Sequence, residues 1–132
     1  MKYLMDTNIC IYLIKKKPLK VLEKLNQIPL TEVGISAITL SELEYGVEKS
    51  SFPEQNRIAL LEFLSIFNIY DYNETAALEY GIIRSHLERK GLLIGSLDLL
   101  IAAHAKSLNL ILVTNNVKEF KRVPALKTEN WT

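Results

Sequence analysis

The sequence predicts an α/β fold in which a central, mostly parallel sheet of four or five strands carries helices on both faces. Two observations lead there. Short runs rich in apolar and β-branched residues, at 2–5, 33–35, 66–70 and 110–114, alternate with longer stretches of helical spacing. Each intervening stretch is long enough to cross back over a sheet, which parallel neighbours require and tight hairpins do not.

The first strand, 2–5, passes directly into Asp6-Thr7-Asn8, three residues each able to cap a helix. The apolar run 9–14 then reads as helix on the strength of that cap and of the lysines that follow it. Pro18 opens a second helix with Leu19, Leu22 and Leu25 on one stripe, and Pro29 marks the break after it. A strand at 33–35 leads to a helix over 36–48 patterned by Ile38, Leu40, Leu43 and Val47. Pro53 begins the next helix, through Leu64, and the strand at 66–70 follows. Asn73 caps a long helix that ends near Lys90-Gly91, with Arg84 and Glu88 as an i,i+4 pair on its outer face. Ser96 is expected to cap a helix to about Asn109, before the strand at 110–114 and an irregular tail from Asn115.

A chain of 132 residues, 48% hydrophobic and 23% charged, is expected to form a single domain over 1–132 with its own core. The net charge of +1 decides nothing about partners, because nucleic-acid binding depends on where the cations lie. The lone Cys10 has no partner for an internal disulfide and is expected as a buried thiol in a reducing compartment. No signal peptide or bilayer-spanning run is read, so the expected location is the cytoplasm, with no membrane partner.

Three acids stand out. Asp6 lies just past the first strand, where α/β sheets present their ligands, although a plain helix cap also explains it. Asp98 shares a helix face with Ile101, Ala102 and Ala105 and so points inward; a dipole-complementing carboxylate is the bland alternative. Glu42 lies on the more apolar side of its helix, while Glu44 lies with Glu48, at i,i+4, on the solvated side. Its bland alternative is a capping box, Thr39-x-x-Glu42. Carboxylates brought to ~4 Å at an effective dielectric of ~20 repel by several kcal/mol per pair, so a cation must compensate. An all-oxygen set suits Mg²⁺ or Mn²⁺ over Zn²⁺. His86 and His104 are expected at the surface or edge, His104 lying about 240° around the helix from Asp98.

Taken together, Asp6-Thr7-Asn8, Ser41-Glu42-Leu43, Asp98 with Ile101 to Ala105, and Leu112-Val113-Thr114-Asn115-Asn116 followed by Glu119-Phe120 resemble a PIN domain, most closely the VapC toxins of bacterial toxin-antitoxin pairs. The ending Val123-Pro124 to Trp131 belongs to the same likeness. The resemblance implies a PIN-like fold and a metal-dependent endoribonuclease that inhibits translation and growth. Asp6, Glu42 and Asp98 would be its metal-site acids and Thr114 a hydroxyl contact, with Thr7 and Asn8 supporting. Transfer RNA is the implied substrate, in the nearest group the initiator tRNA within its anticodon stem-loop. A VapB-type antitoxin and a toxin homodimer are implied as partners, with DNA reached only through the antitoxin. Where many PIN domains carry a fourth Asp, this chain has Asn116, and Glu119 is the alternative source of that charge.

For holding RNA phosphates, Lys15, Lys16, Lys121 and Arg122 are the candidates, each equally explicable as a solvated surface. Two other readings stand beside the nuclease. A haloacid-dehalogenase-like phosphatase needs a second Asp where Asn8 stands, and Asn8 has no acidic proton to give. A catalytically degenerate PIN binding module is the non-enzymatic alternative.

Overall fold

The computed structural model describes residues 2–132; Met1 lies outside them. β1 (Tyr3–Met5) is buried at every residue, which is why it reads as an unbroken apolar run instead of an alternating one. It leads to α1 (Thr7–Lys15), α2 (Leu19–Asn26), β2 (Val33–Ser36), α3 (Ala37–Glu48), α4 (Pro53–Leu64), β3 (Asn68–Tyr70) and α5 (Glu74–Lys90). The chain ends with α6 (Ser96–Ser107), β4 (Ile111–Val113), the single turn α7 (Val117–Phe120) and β5 (Thr128–Glu129).

All four strand pairings are parallel and the order is β3-β2-β1-β4-β5. β1 is therefore central, with Met5 beside Ile35 of β2 on one flank and Val113 of β4 on the other. Alternation along β1 divides the core. Tyr3 and Met5 pack with Ile9 and Leu13 of α1, Val21 of α2, Leu43 and Val47 of α3, and Leu60 of α4. Leu4 points the other way, with Leu112, into Ile83 and Leu87 of α5, the apolar side of α6, and Phe120 of α7. The expected two-faced α/β sheet is present. Among the described residues, no helix is long and apolar enough to cross a membrane.

Local signals explain most boundaries. Asn73 accepts the Ala76 N–H at 3.2 Å and starts α5, which ends at Gly91 in the left-handed conformation, φ 66°, a backbone state that glycine adopts without steric cost. Arg84 donates to Glu88 at 2.8 Å, as its spacing predicts. Two expectations need correction. Ser96 is the first residue of α6, not its cap; that position is Gly95, which has no side chain to make a capping bond. The tail is not irregular, because Leu112 N–H donates to Lys127 C=O and Thr114 N–H to Glu129 C=O, and this pairing creates β5. A two-residue strand carries no period of its own, so only its partner defines it.

Candidate active site

With strand order 3-2-1-4-5, the crossovers run in opposite directions from β1 and β4, and the carboxyl ends of those two strands frame a switch-point crevice. Asp6 follows β1 and Thr114 follows β4. Asp6 N–H donates to Val113 C=O at 2.9 Å, so the sheet's ladder reaches into the site.

Asp6 does cap α1: its carboxylate accepts the Ile9 N–H at 3.0 Å. It also lines a cavity of about 560 Å³ with Glu42 and Asp98, so the structural and the functional placement coexist in one side chain. Its carboxyl is pushed up from 3.8, chiefly by burial and less by the nearby Glu42 charge, while the Thr114 hydroxyl and the Ile9 N–H pull it down.

Glu42 enters the cavity from α3. The Thr7 hydroxyl, on the first turn of α1, donates to it at 2.6 Å and ties it to the Asp6 side. The capping-box alternative fails, because the cap of α3 is Ser36, which accepts the Ile38 N–H at 3.0 Å; Thr39 is a buried interior residue. Glu44 and Glu48 lie on the opposite side, both bonded by Arg57, at 2.6 and 3.2 Å.

Asp98 stands in the first turn of α6. Burial, then the charge of Glu119 and a hydrogen bond to it, raise its carboxyl to about 6, with Asp6 and Glu42 adding to the push. Glu119 moves the other way, lowered because the Gly95 N–H and the Asn116 amide both donate to it, at 2.9 and 2.7 Å. The Asn116 N–H in turn donates to the Thr114 hydroxyl at 2.9 Å. Asp6, Thr114, Asn116, Glu119 and Asp98 thus form one hydrogen-bonded string around the end of β4. The alternatives Asn116 and Glu119 are parts of one arrangement: the amide orients the carboxylate.

Among the described residues, no three His, Cys, Asp or Glu side chains close on one point as a ready-made metal cage. The acids surround a cavity instead, near enough for Asp98 to feel the charge of both Asp6 and Glu42. That donor set fits a hard divalent cation of the Mg²⁺ kind, which keeps several of its own waters and takes only one or two protein carboxylates. The two raised carboxyls, Asp6 and Asp98, are the groups whose charge a cation would offset.

The basic candidates separate. Arg122 lines a smaller recess with Lys118, Asn116 and Glu119, and donates to Leu93 C=O at 3.1 Å. Lys15 and Lys16 sit at the C-terminal end of α1, where a cation complements the helix dipole, and neither lines the carboxylate cavity. Lys121 lines neither space. Sequence reasoning missed Lys49 and Tyr45, which do line the main cavity. Their signal was present as spacing, three and seven residues after Glu42 on one helix. Asn8 is at the rim, donating to Asn115 at 3.4 Å.

His104 corrects another expectation. It is 1% exposed, with Nδ1 2.7 Å from the Ser36 hydroxyl and its ring edge-on to Tyr72. Burial lowers its pKa, and its Nδ1 shares a hydrogen bond with the Ser36 hydroxyl. The residue is on the same helix as Asp98, but its ring packs against Ser36 of β2 and against Tyr72 in the segment before α5, not against solvent.

Comparison with known proteins agrees with this geometry. A family model, the PIN domain, matches residues 3–126. Ribonuclease VapC2 of Haemophilus influenzae is 50% identical over 131 residues, 99% of this chain and 98% of that one. The tRNA(fMet)-specific endonuclease VapC of Shigella flexneri is 46% identical over 132 residues, 100% of this chain and 99% of that one. A solved structure of VapBC2 from Rickettsia felis, bound to a DNA fragment from their promoter, superposes with a TM-score of 0.93 at 48% identity, covering 100% of both chains. The chain is therefore a member of the PIN domain family, of the VapC ribonuclease type.

Proposed function

We propose that this chain is the toxin of a toxin-antitoxin pair, a Mg²⁺-dependent (or Mn²⁺-dependent) endoribonuclease that cuts tRNA, in the first instance initiator tRNA in its anticodon stem-loop, and so halts translation. One observation carries the reading: Asp6, Glu42 and Asp98, from three separate elements, line a single cavity at the switch point of the sheet. The tRNA assignment draws on the Shigella flexneri relative, a tRNA(fMet)-specific endonuclease.

Asp6 and Asp98 would hold the cation, with Glu42 beside it. When bound, the cation neutralises the clustered acids, polarises the phosphodiester and makes water a competent nucleophile near neutral pH. The protein's own contribution is positioning. Asp6 is fixed by the Ile9 N–H, and Glu42, fixed by Thr7, is aimed to orient the attacking water and receive its proton. Glu119, held by Gly95 and Asn116, is hydrogen-bonded to Asp98 and completes the acidic wall. Water attacks in this scheme, so the new ends are 5′-phosphate and 3′-hydroxyl.

A VapB-type antitoxin is the proposed partner, reaching promoter DNA on the toxin's behalf, in a complex built on a toxin homodimer in the cytoplasm. The support is the Rickettsia felis assembly together with a groove lined by Ile11, Ile14, Leu43, Val47 and Leu60, which opens beside Glu42 and Lys49. An antitoxin segment seated there would end at the carboxylates and block them.

The test is to incubate the purified chain and its Asp6→Ala variant with total tRNA, with and without Mg²⁺, and to sequence the cut ends. Mg²⁺-dependent cleavage by the parent alone is expected. Cleavage by both proteins, cleavage without a divalent cation, or 2′,3′-cyclic phosphate ends would overturn the proposal.

A further inference from the structure

Tyr45 is 65% exposed, although Leu43 and Val47, on either side of it in α3, are buried. The helix packs firmly and leaves this ring standing at the mouth of the carboxylate cavity. Glu42 and Tyr45 lie about one turn apart on α3, roughly 5.4 Å of rise, and Lys49, its C-terminal cap, comes about a turn later, so the three form a stripe running outward from the acids. The Lys49 ammonium lies 5.0 Å from the centroid of the Tyr45 ring. Across the cavity, Leu97, beside Asp98, is 45% exposed. Between the walls, Gly46 leaves open space: a Cβ there would meet nothing within 4 Å.

A flat aromatic face, an aliphatic side chain opposite, a floor of carboxylates and one ammonium at the lip are the complement of a nucleotide, with its flat base and anionic backbone. Among the described residues lining the cavity, Lys49 is the sole lysine or arginine, so a polyanion entering there has this cation to meet. Bases splayed out of a loop are held on aromatic rings, and the stacking tolerates any sequence because every base has such a face.

We propose that Tyr45 is the stacking platform for one unpaired nucleobase next to the scissile phosphate, and that Lys49 swings off the ring to bond the phosphate of that same nucleotide. The inference rests on the ribonuclease reading and gives it a substrate requirement: the base beside the cut must be free to leave its stack. Paired RNA of the same sequence is then a poor substrate.

The experiment uses RNA hairpins that differ only by an abasic residue placed at successive positions around the cut, and measures KM and kcat for the parent, Tyr45→Ala, Tyr45→Phe and Lys49→Gln. Tyr45→Ala is expected to raise KM about tenfold while kcat changes less than twofold, and Tyr45→Phe to restore it. One abasic position should cost the parent a similar factor and cost Tyr45→Ala nothing further. A 2-aminopurine at that position should be quenched on binding the parent and not on binding Tyr45→Ala. The proposal fails if Tyr45→Ala keeps the parent's KM, or if the abasic series is flat. It fails equally if Tyr45→Ala changes self-association or antitoxin affinity with RNA KM unmoved, which would make the ring a protein contact. If the parent cuts no RNA at all, the ribonuclease reading falls first and this inference with it.

Discussion

Asp6 is 6% exposed and accepts from the Ile9 N–H and the Thr114 hydroxyl, whereas Asp98, half-buried on the opposite wall, faces another carboxylate. Both are raised by burial, but only Asp6 has donors from rigid elements pulling it back. Asp98 instead is hydrogen-bonded to Glu119, whose own donors, Gly95 and Asn116, hold it lower and make it the better anion of the two. One acid is therefore fixed in place by the sheet and helix around it, and the other is adjustable. A site that must gain and lose a cation has use for both.

The contrast breaks most visibly at Asp6. Asp6→Asn keeps a capping oxygen for α1 but loses the charge, so RNA cleavage should fall by about 10³-fold with the melting temperature nearly unchanged. Asp6→Ala should lose the same activity and, in addition, about 1 kcal/mol of stability, read as a lower melting temperature. Equal melting temperatures for the two variants would show that the cap contributes nothing.

At Asp98 the sign of the stability change reverses. Its folded carboxyl titrates at about 6 against an ordinary 3.8, so the proton stabilises the fold, fully below about pH 4, and that contribution is lost as pH rises through 6. In the metal-free protein at pH 8, Asp98→Asn should raise the melting temperature by about 4 °C, after discounting for solvent screening, and should do nothing at pH 4. Mg²⁺ or Mn²⁺ should raise the parent's melting temperature at pH 8 and much less at pH 4, where protons occupy the carboxyl. A metal response independent of pH would count against Asp98 as the adjustable ligand.

The smallest effect is expected at Glu119. Glu119→Gln keeps the amide-length side chain near Gly95 while removing the charge that raises Asp98, so activity should drop about tenfold and the acidic limb of the pH–rate profile should move to lower pH. An unmoved limb would mean that burial and the other acids, not Glu119, set Asp98.

Much of this was legible in the residues because it depends on local chemistry. Asn73, Gly91 and Pro53 mark their helix ends by side chain or backbone preference, and Asp6 is placed by the strand before it. What was not legible depends on who sits across the gap. β5 exists through its pairing with β4, and His104 is buried by Ser36 and Tyr72, partners 68 and 32 residues away in sequence whose proximity no helical wheel displays. The open choice between Asn116 and Glu119 had the same origin, since three residues of spacing do not reveal that the amide donates to the carboxylate. Lys49 carries no distinguishing signal in the sequence, because charge on a helix normally marks the solvated side, and only the cavity's shape sets it apart.

The sheet has a further consequence at its margins. Its two outermost strands, β3 and β5, have three and two residues, and β5 is followed by Trp131, which folds back edge-on against Tyr3 of the central strand at 5.4 Å. Few unpaired N–H and C=O groups are left for a neighbouring chain to zip onto, so this fold has little capacity to grow ribbons by edge-to-edge aggregation even where apolar surface is uncovered.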